Sequence, residues 1–295
     1  MLKTWNVVLV VLTFLLTLFG TFLTRSGLIS SVHGFAKSDI GVFFLVFMAL
    51  VGVVSLGLCR WRRQSLRAVT RGEALMSREA TFVLNNWALL GLMTFVALAT
   101  IFPKLSEWLY AESLTVAAPF YNRWAAPLGL VIFGLMGLAP LFGWRKTSSS
   151  GFWRALWPLV LVTAAVAVWH GLWGARWGLP ARVPRDLTSP GLSGWFLREL
   201  SAITPWVVVT LAAFNLTVVI REFLVGVRAR RTTALARGEA EPWPVALWQM
   251  MTHGRRRYGG YLVHLGITLV FLGFVGASWS TTKEVSLHPG QTVDV

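Results

Sequence analysis

Two histidines in this chain stand where an imidazole can do chemistry: His33, between two long apolar runs, and His264, inside one. His33 lies in the polar stretch from Thr24 to Ala36, which also holds Arg25, three serines and two glycines. A neutral imidazole just outside a membrane span can ligate a metal or haem iron. A guanidinium beside it, such as that of Arg25, can pair with a carboxylate such as a haem propionate. A solvated connector with an incidental histidine accounts for the same residues and is the reading that spacing alone favours.

His264 falls in the run from Tyr258 to Trp279. An ionisable side chain inside an apolar run is expensive and is by default a functional candidate. Its depth is roughly 8 Å from the basic end, at about 1.5 Å per residue. Gly259, Gly266 and Gly273 recur at seven-residue intervals and form one narrow stripe, which permits close approach of a neighbouring helix. His264 lies about 140° around from Gly259. Gly260, four residues before His264, shares its face and clears space beside the ring. A packing face plus a histidine with a gap beside it suits a flat macrocycle. A histidine hydrogen-bonded across helices is the equal alternative.

The remaining histidines carry weaker signals. His170, between Trp169 and Trp173, reads as an interfacial residue; His253, among arginines, as solvated; and His288, before Pro289, as a surface residue. Cys59 is the only cysteine, so neither an internal disulfide nor a CxxC pair exists. No Ser/His/Asp set, carboxylate dyad, Walker loop or GxGxxG occurs. Hydrolytic, kinase and Rossmann chemistry therefore have no support.

The elements that must position these residues are membrane spans. Of the 295 residues, 55% are hydrophobic and only 13% charged, about half the charged fraction of a soluble domain. Seven apolar runs, about 5–23, 40–59, 82–102, 124–143, 153–172, 202–223 and 259–279, are long enough to cross a bilayer as helices. The expected fold is an all-α polytopic membrane protein: a seven-helix domain over 1–279, then the start of a small β segment over 280–295. The first run is too long for a signal-peptide core and is read as a retained span.

The net charge of +15 raises the question of nucleic acid, but the basic residues gather in alternate loops. They cluster between spans two and three (Arg60, Arg62, Arg63, Arg67, Arg71, Arg78), around Arg145, and over Arg228–Arg257. That is the positive-inside pattern, and it expects a cytoplasmic N-terminus with His33 and the C-terminus on the outer side. No nucleic-acid partner is expected. Pro103 is expected to end the third span, with a short interfacial helix from Lys104 to Tyr110. The segment 172–200 is expected to be an outer loop lying on the membrane, and Val245–Met251 an amphipathic helix. Lys283–Leu287 reads as a strand.

With these residues laid out, the chain resembles the CcmF family of the bacterial cytochrome c maturation haem lyase. Thr21–Gly27, Ser31–His33 and Phe35–Ala36 resemble the family's histidine loop. Ser77–Glu79 with Leu84–Asn86 resembles a second signature. Ala118–Asn122, Pro127–Gly129 and Gly137–Pro140 resemble a third, and Tyr258–Gly260 through His264–Gly266 the intramembrane histidine segment.

The resemblance implies a haem-handling subunit in the bacterial inner membrane. It implies that His33 ligates transient haem received from the chaperone CcmE, and that His264 ligates an intramembrane haem b kept reduced by quinol. CcmH with CcmI would present apocytochrome c. It further implies that the chain corresponds to the C-terminal part, with the tryptophan-rich WWD loop and the partner histidines in an N-terminal half. The other reading is a haem-free membrane scaffold or transporter segment.

Overall fold

The computed structural model describes residues 3–27, 40–67, 76–114, 116–143, 146–183 and 191–280. Its described residues are helical, joined by turns. In chain order the helices are α1 (Lys3–Arg25), α2 (Ile40–Trp61), α3 (Arg63–Leu66), α4 (Arg78–Tyr110), α5 (Ala118–Leu138), α6 (Ser149–Trp173), α7 (Gly191–Leu235), α8 (Trp243–His253) and α9 (Arg255–Gly276). Seven helices among the described residues are long and apolar enough to cross a membrane; α3 and α8 are the short exceptions. Large apolar side chains such as Phe43, Leu56, Val53 and Phe274 are more than two-thirds exposed. In water that surface would be untenable, and in lipid it is the expected exterior. The tail from 281, with the expected strand, lies outside the described residues.

Several boundaries depart from the sequence expectation. Pro103 does not end its helix: α4 runs unbroken to Tyr110 over 33 residues. Pro127, Pro158 and Pro205 also sit inside helices. A proline stops a helix readily where water can satisfy the freed backbone groups; in apolar surroundings the remaining helical bonds are kept. The second difference is α7, whose 45 residues span roughly 67 Å at the usual rise. That is more than twice a hydrocarbon core. Its first turns, from Gly191, occupy what the sequence suggested was outer loop. Its last turns, to Leu235, pair with α8.

The chain divides into two compact units, Met1–Ala125 and Ala126–Val295. In the first, α1 packs on α2. Gly41 lies so close to α1 that an added Cβ would stand 3.1 Å from Ser26 Cβ. Trp5 meets Trp87 of α4 with ring centroids 5.6 Å apart, and the Thr4 hydroxyl donates to the Leu66 carbonyl at 2.9 Å. Ser77 caps α4, its Oγ accepting from the Ala80 amide at 3.2 Å.

The second unit is organised around α7, which packs against both α6 and α9. Its buried positions Val208, Ala212, Asn215, Val219 and Glu222 fall at helical spacing on one stripe. Phe133 and Phe271 stack at 4.2 Å, nearly parallel. The Asn215 side-chain amide donates to the Phe133 carbonyl at 3.1 Å and to the Leu211 carbonyl at 2.9 Å, tying α7 to α5 without a free polar hydrogen.

Candidate functional site

The site is built where α9 crosses the C-terminal half of α7. Arg257, Tyr261, His264 and Thr268 follow one another at four- and three-residue steps, so they share one side of α9. Tyr258, Tyr261 and Thr268 are buried, and His264 is half-buried. The Thr268 hydroxyl donates to the His264 carbonyl at 2.8 Å, satisfying itself within the helix.

Facing them is Glu222 of α7, only 4% exposed. Arg257 donates to its Oε2 at 2.8 Å and the Tyr261 hydroxyl donates to the same oxygen at 2.9 Å. Arg221 donates to Oε1 at 2.8 Å. A buried carboxylate is tolerable only with such pairing. The aromatic ring of Tyr261 then stands edge-on to the His264 imidazole, with centroids 6.3 Å apart. Phe223, Tyr258 and Tyr261 form the apolar collar around the cluster.

The side-chain nitrogens of His264 make no hydrogen bond among the described residues. A Cβ added at Gly259, Gly260, Gly266 or Gly273 would meet nothing within 4 Å. The glycine stripe expected to receive a neighbouring helix therefore faces open space among the described residues. An imidazole with no hydrogen bond, beside a cleared face, fits a ligand to a flat group such as haem. Haem iron takes imidazole nitrogen as an axial ligand.

The other sequence candidates are dispersed. His33 lies outside the described residues. Arg25 is the last residue of α1, exposed, and belongs to the first unit. His264 and Gly260 share α9. No cluster of three or more His, Cys, Asp or Glu that could hold a metal occurs among the described residues.

His170 differs from its interfacial reading: it is 1% exposed. Its Nε2–H donates to the Leu179 carbonyl at 3.0 Å, and Nδ1 is buried without a partner among the described residues. The ring clips the 3₁₀ turn Gly174–Trp177 to the end of α6, where Gly174 is required because a Cβ would collide with the imidazole. Trp279 Nε1 donates to the Pro180 carbonyl at 3.1 Å, pinning the same turn to the end of α9. His253 is exposed, its Nδ1–H donating to the Gln249 carbonyl at 2.7 Å.

Sequence reading missed Glu222, Arg257 and Tyr261. The signal was present: an acid at helical register with Asn215 and Val219 in an apolar run. Glu222 lies next to Arg221 at the end of the expected span over 202–223, and neither position has a local sign of its partners on α9.

Fold and site define a multi-pass helical membrane protein carrying a histidine within a span. Known proteins narrow this further. No protein-family model matches the chain. The cytochrome c-type biogenesis protein CcmF of Pseudomonas aeruginosa is 30% identical over 295 residues, 99% of this chain and 39% of that protein. CycK of Rhizobium meliloti, also a cytochrome c-type biogenesis protein, is 30% identical over 301 residues, 100% of this chain and 39% of CycK. The solved structure of a cytochrome c haem lyase CcmF superposes with a TM-score of 0.58 at 26% identity, over 92% of this chain and 33% of that one. The chain belongs to the CcmF family of cytochrome c-type biogenesis proteins, and it spans about two-fifths of the length of these relatives.

Proposed function

We propose that the chain is a haem-handling segment of a cytochrome c maturation haem lyase in the bacterial inner membrane, with His264 an axial ligand of an intramembrane haem b. The observation that carries this reading is the His264 imidazole, half-buried in α9, without a hydrogen bond, beside the open face at Gly260. Full-length similarity of the chain to CcmF and CycK proteins supports it. Bound haem b would supply one-electron transfer to the haem being attached. Among this chain's own residues, His264 would hold iron, Gly260 would admit the macrocycle, and Tyr261 would wall the imidazole. A partner ligand would be supplied from outside the chain.

His33, with Arg25 for a propionate, is the proposed ligand of haem arriving from the chaperone CcmE on the outer side. CcmH with CcmI presents the apocytochrome c thiols, and quinol is the proposed electron source. Arg228, Arg255 and Arg256 are exposed on the α7–α9 end of the second unit, which supports placing that end in the cytoplasm.

A pyridine haemochrome assay with reduced-minus-oxidised spectra tests this on the chain expressed alone and with the N-terminal segment its relatives carry. A b-type signal appearing only with both, and lost in His264→Ala, is expected. An unchanged spectrum in His264→Ala removes the ligand role, and no haem in either sample favours a haem-free scaffold or transporter segment.

A further inference from the structure

Glu222 is a buried carboxylate that iron ligation by His264 does not itself require. Helix packing alone does not call for it: replacing a buried ion pair by apolar side chains is often neutral or stabilising. Its three donors come from two helices, and the ring of one of them, Tyr261, lies beside the proposed ligand with centroids 6.3 Å apart. Arg257 is seven residues before His264, two helical turns and about 10 Å along α9 on the same side. The cluster of Arg221, Glu222 and Arg257 thus places two positive charges and one negative charge beyond Tyr261, at the basic end of α9.

We infer that Glu222 and Arg257 are positioning residues for His264: they hold Tyr261 against the imidazole, and their opposed charges set the reduction potential of haem iron bound there. This rests on the reading of His264 as a haem ligand. The carboxylate accepts the Tyr261 hydroxyl and so selects one ring orientation. That ring edge limits rotation of the imidazole about its χ2 axis. The net positive charge of the cluster favours the reduced iron, which carries one positive charge fewer.

The two substitutions have opposite signs, and that separates charge from shape. Glu222→Gln removes a negative charge from the cluster and raises the potential; Arg257→Gln removes a positive charge and lowers it. For scale, a unit charge about 15 Å from a redox centre at an effective dielectric of about 20 changes the reduced-to-oxidised ratio at fixed potential roughly sixfold. A role in packing alone would move both variants the same way or neither. Arg257→Lys keeps the charge and restores the potential, and remains informative where Arg257→Gln accumulates poorly.

The test is a spectroelectrochemical titration of the b-type haem in membranes containing the full chain and the N-terminal segment of its relatives. Low-spin electron paramagnetic resonance g-values of the Tyr261→Phe variant are recorded alongside. Opposite shifts for Glu222→Gln and Arg257→Gln, with altered g-values in Tyr261→Phe, are the expected result. Shifts of the same sign, or below twofold in both, overturn the electrostatic role; unchanged g-values overturn the positioning role. His264→Ala is the control. If it abolishes the haem while the other variants leave the potential alone, the inference fails and the ligand assignment stands. If it leaves the haem unchanged, the ligand assignment itself fails.

Discussion

The coupling between Glu222 and Arg257 can be worked out from the structure and measured without haem. Their nitrogen–oxygen distance is 2.8 Å, and the side chains are 5% and 53% exposed. Charge centres about 4 Å apart attract by about 4 kcal/mol at an effective dielectric of 20. Solvent at the half-exposed guanidinium screens this, leaving about 1–2 kcal/mol. Arg257→Leu should therefore destabilise the second unit by about 2 kcal/mol, since Glu222 stays buried with Arg221 and Tyr261 as its remaining donors. Glu222→Leu should cost less, about 1 kcal/mol, because Arg221 and Arg257 can both turn toward solvent. In the double variant the loss of Arg257 adds little. The expected coupling in a double-mutant cycle is 1–2 kcal/mol, read from denaturant unfolding in lipid–detergent micelles by tryptophan fluorescence. Additivity within about 0.4 kcal/mol would refute the pairing.

Four further outcomes follow from packing. Gly137→Val should destabilise the contact of α5 with α7 by about 1–3 kcal/mol, because its Cβ would meet ring atoms of Phe214 at 2.7 and 2.9 Å. Gly266→Val in the isolated chain should stay within about 0.5 kcal/mol by the same unfolding assay, since no described atom lies within 4 Å of an added Cβ. Asn215→Leu removes hydrogen bonds to the Phe133 and Leu211 carbonyls and should cost about 0.6–1.7 kcal/mol, between the average and the largest value for polar pairs of membrane helices. His170→Ala should speed hydrogen exchange at the Gly178 and Leu179 amides severalfold while leaving any haem spectrum in place; loss of haem would reassign His170 as a ligand.

Much of the fold was legible in the chain itself. Apolar run length decides whether a helix can cross lipid, and that requirement acts residue by residue, so the seven spanning helices could be read directly. Helix ends could not. Pro103 would stop a helix in water, yet α4 passes through it, and α7 extends well past both ends of its apolar run. Those extensions are held by long-range contacts: Arg182 to Glu199 at one end, and Arg230 to Glu241 with Gln249 at the other.

The candidate site divides along the same line. His264 was visible from sequence alone, because a histidine inside an apolar run violates composition at a single position. Gly260 followed from its four-residue spacing. Glu222 required the tertiary structure, since its meaning lies in Arg257 and Tyr261, 35 and 39 residues away on another helix. The burial of His170 was hidden for a similar reason: it depends on the turn that folds back over the end of α6 and on Trp279, more than 100 residues on. Sequence determines which residues are out of place in lipid. Only helix packing decides which of them meet, because the partners that neutralise a buried charge come from segments whose separation along the chain carries no local signal.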